Sequence, residues 1–127
     1  MDIVSALFVE SFNMRQAPGP STRIDITGAF FSMAAPAPVP FTIEPHLLVL
    51  IRCHPDEPGN GILEVVFKRD VEQVARNVSP FDVEPGKFTY RLVRAELEFA
   101  EYGTVDAHCR LGDGPFTVVP ITLLPPV

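Results

Sequence analysis

The sequence predicts an all-β fold: two antiparallel sheets stacked as a β-sandwich, with about eight strands. Three observations carry that prediction. Apolar residues recur at every second position in short stretches, which is the period of a half-buried strand. Fourteen prolines and eight glycines fall between and within those stretches and punctuate the chain throughout. A helical reading fails almost everywhere. Only the amino-terminal segment and Phe88–Phe99 keep apolar positions at three-to-four spacing over a dozen residues free of Pro and Gly, and both are dominated by β-formers.

The first segment, Ile3 to Phe12, reads as a strand with apolar residues on both faces, so it is expected to be buried on both sides or covered by a partner. Asn13 to Ser21 is a loop around Pro18-Gly19-Pro20. Arg23 to Met33 is the second strand. Ile24, Ile26 and Phe30 share one face and Arg23, Asp25 and Thr27 the other, with Gly28 marking a bulge or a close backbone approach. Ala34 to Pro45 is proline-rich and extended, suited to crossing from one sheet to the other. The alternative for it, a ligand for a proline-recognition domain, is the rarer use of such a stretch.

His46 to Cys53 has a solid apolar middle and reads as a central strand. The turn Pro55–Gly61 leads into Ile62–Lys68, with Leu63, Val65 and Phe67 inward, and the two segments are expected to form a hairpin. Gln73–Ser79 is a weaker strand suited to a sheet edge. In Phe88–Phe99 the residues Phe88, Tyr90 and Leu92 have one parity and Ala95, Leu97 and Phe99 the other. A bulge near Leu92-Val93 or a change of sheet is needed to bury both sets. Thr104–Leu111 alternates with Val105, Ala107, Cys109 and Leu111 inward. Gly112-Asp113-Gly114 then closes a hairpin onto Phe116–Leu124.

With 127 residues, 1–127 is read as a single domain, large enough to bury roughly two-thirds of its unfolded surface. The net charge is -6 and the basic residues are scattered, which argues against nucleic acid and against an anionic membrane surface. No apolar run approaches the length of a spanning helix, and no signal peptide is visible. Two cysteines without a secretion signal suggest free thiols and a cytoplasmic protein. Hydrophobic residues make up 46% of the chain and charged residues 20%, an apolar surplus that points to self-association.

Three segments carry a resemblance: Ala6-Leu7-Phe8-Val9-Glu10-Ser11, Ile24-Asp25-Ile26-Thr27-Gly28-Ala29-Phe30, and Leu97-Glu98-Phe99-Ala100-Glu101-Tyr102-Gly103-Thr104. Together they resemble a bacterial family of small, immunoglobulin-like β-sandwich domains of unknown function. The likeness covers nearly the whole chain. It implies the fold and no catalytic residues.

The pairs Cys53-His54 and His108-Cys109 are the best candidates for chemistry. Parity turns both cysteines inward and both histidines outward. A metal site would need His54 and His108 with Asp56 or Asp106, and the spacing matches no known zinc module. The plainer reading is two buried thiols and two surface imidazoles. A disulfide between the cysteines is conceivable if their strands adjoin, but a reducing compartment argues against it. Asp56, Glu57 and Asp113 lack the oxygen cage that calcium needs, and Glu96, Glu98 and Glu101 read as a solvated acidic row. No nucleophile elbow, Cys–His–Asn pattern or phosphate loop is present. Ten Phe, two Tyr and no Trp make a poor sugar platform.

The expected function is therefore a non-enzymatic protein–protein interaction or assembly module, homo-oligomeric and without a cofactor. Phe8, Phe12, Phe31 and Phe41 are the expected interface residues. A small-ligand or carbohydrate-binding sandwich is the alternative, followed by a metal-binding protein. Enzymatic activity is not expected.

Overall fold

The computed structural model describes residues 1–127 and contains eleven strands and no helix. Eight strands have seven or more residues: β1 (Asp2–Ala17), β2 (Ser21–Phe30), β5 (His46–Arg52), β6 (Asn60–Arg69), β7 (Glu72–Asp82), β8 (Phe88–Arg94), β10 (Gly103–Leu111) and β11 (Thr117–Leu124). The others, β3 (Ser32–Ala34), β4 (Phe41–Ile43) and β9 (Leu97–Phe99), have three residues each. Three residues are too few for alternation to register, so the expected count matches the long strands alone.

One sheet has the order β2-β1-β5-β8 and the other β3-β11-β10-β6-β7. β4 and β9 pair with each other where the chain changes sheet, between β3 and β5 and between β8 and β10. The proline-rich stretch therefore crosses between sheets as expected. Alternation places Phe8, Leu47, Val49 and Ile51 from the first sheet against Leu63, Val65, Phe67, Val105, Ala107, Cys109 and Ile121 from the second. Each fully buried side chain of this size contributes roughly 1.5–3 kcal/mol relative to exposure.

Two expectations about pairing need correction. His46–Cys53 and Ile62–Lys68 do not form a hairpin, because β5 pairs with β1 and β8 while β6 pairs with β10 and β7. The intervening turn spans the gap between sheets. Gly59 fits there because a Cβ would stand 1.8 Å from the Val83 carbonyl oxygen, and the Val83 N–H donates to Gly59 O at 2.6 Å. In Phe88–Phe99 the change of sheet is real, but it falls after Arg94. The inward residues of β8 are Thr89, Arg91 and Val93, opposite Ile51, Val49 and Leu47. Tyr90 and Leu92 face the other way and are half-buried.

Something therefore covers the outer face of the first sheet. Leu7, Leu48 and Leu92 lie side by side there, and Leu48 and Val9 are buried without belonging to the inter-sheet core. Beyond Val9, β1 leaves β5 and pairs with β2 alone, forming a two-stranded ribbon. The ladder skips the Glu10–Gly28 pair without a shift of register, so Gly28, with φ 65°, marks neither the expected bulge nor a close backbone approach; the space beside it is taken by the Glu10 side chain. Past this interruption the ring of Phe12 meets Tyr90 edge-on at 5.3 Å, although β5 separates their strands. This contact brings the ribbon over the Tyr90 side of the outer face.

Candidate functional site

Two surfaces and one groove of the fold offer places where chemistry or partners could act. The first surface is the free edge of β2. This strand pairs with β1 on one side and has no neighbour on the other. Pro20 precedes it and Gly28 interrupts it, so Ser21–Thr27 is seven residues of uninterrupted, unpaired backbone edge. On one face Arg15 and Arg23 stand directly opposite each other, an unfavourable like-charge pair. Arg15 Nε donates to Asp25 Oδ2 at 2.7 Å, whereas Arg23 has no carboxylate partner and reaches only Thr22 O and Ser21 Oγ. On the other face lie Ile24, half-buried, and Ile26, 38% exposed.

The second surface is the outer face of the five-stranded sheet. Ile62, Val78, Phe116 and Val118 are exposed around a charged centre. Glu64 Oε2 accepts from Arg76 and Glu64 Oε1 from Arg110, at 2.7 and 2.8 Å. These two guanidinium groups, Arg76 first, hold the Glu64 carboxyl below its ordinary range. Arg110 lies 4.7 Å over the Phe116 ring, which also meets His108 edge-on.

The groove, of about 560 Å³, runs where β2 gives way to the sheet crossing and is lined by Phe30, Met33, Pro36, Phe41 and Ile43, with Glu10 and Glu44 at its rim. Phe41 is thus part of the wall of an open, largely apolar groove. Phe31, beside Phe30, is 52% exposed, and Phe12 is half-buried on Tyr90. Phe8 does not belong with them: it is 0% exposed, facing Leu47 and Phe30 in the core, so its expected place at an interface is corrected. The adjacent apolar residues of β1 point to opposite faces, and the core takes Phe8.

The histidines are not brought together. His108 sits mid-strand on β10, whereas His54 follows β5 in the other sheet. The His54 Nε2–H donates to Asp2 Oδ2 at 2.8 Å, and this bond, aided by Arg52, lowers the Asp2 pKa. Glu57 takes the Met1 ammonium and the His54 backbone N–H, and its pKa is lowered for that reason. The carboxylate that meets His54 is therefore Asp2 rather than Asp56, a pairing across more than fifty residues that no local spacing announces. No three His, Cys, Asp or Glu side chains converge as metal ligands would.

Both cysteines are buried and free, as parity required. Cys53 Sγ approaches the main-chain oxygens of His54, Glu57 and Pro58 rather than an imidazole. Burial pushes the Cys109 thiol up to about 12. Glu96 and Glu98 line an open polar cleft with Arg69 and Glu72. Arg69 donates to Glu98 O at 2.8 Å and lies over the Phe99 ring. No helix is long and apolar enough to cross a membrane. The sequence matches no family of known proteins and no curated protein.

Proposed function

We propose that this chain is a non-enzymatic protein–protein interaction or assembly module. The supporting observation is the bare edge of β2, seven residues long with neither a proline nor a bulge inside it. Such an edge is a template for another strand, and folded proteins that stay apart usually shorten, bend or block it. The exposed apolar residues beside it, Phe31 and Ile26, add area that association would remove from water. The immunoglobulin-like likeness, the resemblance to the bacterial sandwich family and a cytoplasmic setting belong to the same reading. The sandwich architecture supports the first two, and the two free thiols support the third.

Sedimentation equilibrium from micromolar to millimolar protein tests the proposal. A mass rising above 14.0 kDa with concentration is expected. A strict monomer over the whole range counts against self-assembly.

A second reading, binding of a small apolar ligand, is favoured by the groove around Phe30, Met33 and Phe41, whose volume lies within the usual range for ligand sites. Titration with apolar fragments, followed by NMR, should then shift the Phe41 and Met33 signals first. Shifts spread evenly over the surface would remove this reading.

A further inference from the structure

Resting on the assembly reading, we propose that the partner of the β2 edge is β2 of a second copy, joined antiparallel across a twofold axis at Ile24. Three observations converge on this register. The uninterrupted edge runs from Ser21 to Thr27, and its midpoint is Ile24. Antiparallel pairing about that midpoint sets Arg23 opposite Asp25 of the second copy, and Asp25 opposite Arg23. The charges are complementary twice over, as an isologous interface requires. Within one protomer, Arg23 lacks a carboxylate partner and faces Arg15 across the hairpin, so it has an unmet preference that the second copy satisfies.

The opposite face agrees. Ile24 meets Ile24 of the second copy, and Thr22 meets Ile26, so the less polar side of the ribbon becomes continuous. Residues paired across this axis share parity, so their backbone groups face one another whichever set points away from β1. The join therefore forms about six to eight hydrogen bonds and joins the two-stranded ribbons of both copies into a four-stranded one. Asp25 keeps Arg15 and gains Arg23 of the second copy, since a carboxylate offers about four acceptor sites.

Charge exchange tests the register. Arg23→Glu sets carboxylate against carboxylate at both symmetric positions and is expected to weaken the dimer by about tenfold or more. It also removes the Arg15–Arg23 opposition within the protomer, so the fold tolerates it. Asp25→Arg should weaken the dimer likewise. The double variant Arg23→Glu/Asp25→Arg should recover it, and an equimolar mixture of the two single variants should form a heterodimer.

Hydrogen exchange supplies a second readout. Alternate amides of Ser21–Thr27 should be protected in the dimer and lose that protection on dilution. A monomer at every concentration overturns this pairing and the self-assembly reading together. A dimer indifferent to the charge exchanges, or protected on β6, β7 and β10 instead, overturns the β2 join alone and leaves assembly standing.

Discussion

Replacing Phe8 by alanine separates a core role from an interface role. Phe8 is 0% exposed, its ring lies 6.5 Å from that of Phe30, and its cross-strand neighbour on β5 is the equally buried Leu47. Truncation leaves a cavity between two packed sheets, where neighbours held by ladder hydrogen bonds relax little. Buried Phe→Ala changes of this kind cost about 3–5 kcal/mol. A domain of this size has a total stability of roughly 5–15 kcal/mol, so the change removes a large share of it. At about 4 °C per kcal/mol, the melting temperature should fall by about 12–20 °C. Urea titration should show a lower midpoint with an unchanged slope, because the surface exposed on unfolding is nearly the same. The oligomeric mass of the folded protein should not change. Phe31→Ala is the control: its ring is 52% exposed, and stability should move by no more than about 0.5 kcal/mol. If Phe8→Ala costs less than about 1 kcal/mol and alters association instead, the assignment of Phe8 to the core is refuted.

Gly59→Ala should destabilise the protein by about 3 kcal/mol or more, because the new Cβ collides with a backbone carbonyl that cannot swing aside; a melting temperature within a degree of the parent would contradict the turn geometry. Glu64→Gln should lower stability at neutral pH. Since the folded pKa of Glu64 is depressed, its contribution is present above the ordinary carboxylate pKa and lost as pH falls through the folded value, so the two proteins' stabilities should converge in acid. A constant gap at all pH values would show that the Arg76 and Arg110 bonds do not depend on charge. The Cys109 thiol should resist alkylation in native protein and react at the rate of unfolding; rapid labelling without denaturant would place it at the surface. Its unfolded form ionises near about 8.5 and its folded form only near about 12, so stability should fall as pH rises across that window, and Cys109→Ala should flatten the fall.

Strands with one polar face were legible residue by residue. Leu63, Val65 and Phe67 on β6 and Val105, Ala107 and Cys109 on β10 all point inward, because Glu64, Lys68, Asp106 and His108 leave only one choice of face. The reading failed where both faces carry apolar residues or where a charge takes the inner side. Arg91 has inward parity on β8, yet its side chain reaches across to β7, where Nη2 donates to Pro80 O while Nε stays buried without a partner. A long side chain can do this while its stem stays among apolar neighbours. Tyr90 could then face outward, because Phe12 of the ribbon lies against it. That contact comes from a segment nearly eighty residues away, so alternation within β8 contains no trace of it. The candidate site was hidden for a similar reason. The order Arg23-Ile24-Asp25 is plain in the sequence, but its symmetry means something only once β2 is known to be an edge, and edge status depends on the order of strands across the whole sheet.

The four edges of the two large sheets are not equally open. β3 has three residues, too short to recruit a strand. β7 carries Pro80, and the pairing register shifts where Val74 stands unmatched. β8 is free of proline and bulge, but its midpoint is Arg91 and it ends in Arg94, so symmetric pairing would set arginine against arginine. Each of these edges discourages a second copy by length, geometry or charge. β2 uses none of the three devices: it is long, it is regular between Pro20 and Gly28, and its charges are of opposite sign about the midpoint. The Glu10–Gly28 interruption then acquires a reason. It lets the distal ribbon turn to lay Phe12 on Tyr90 while the β2 backbone stays unpaired along its outer side, so one hairpin both packs on its own sheet and offers an edge to another.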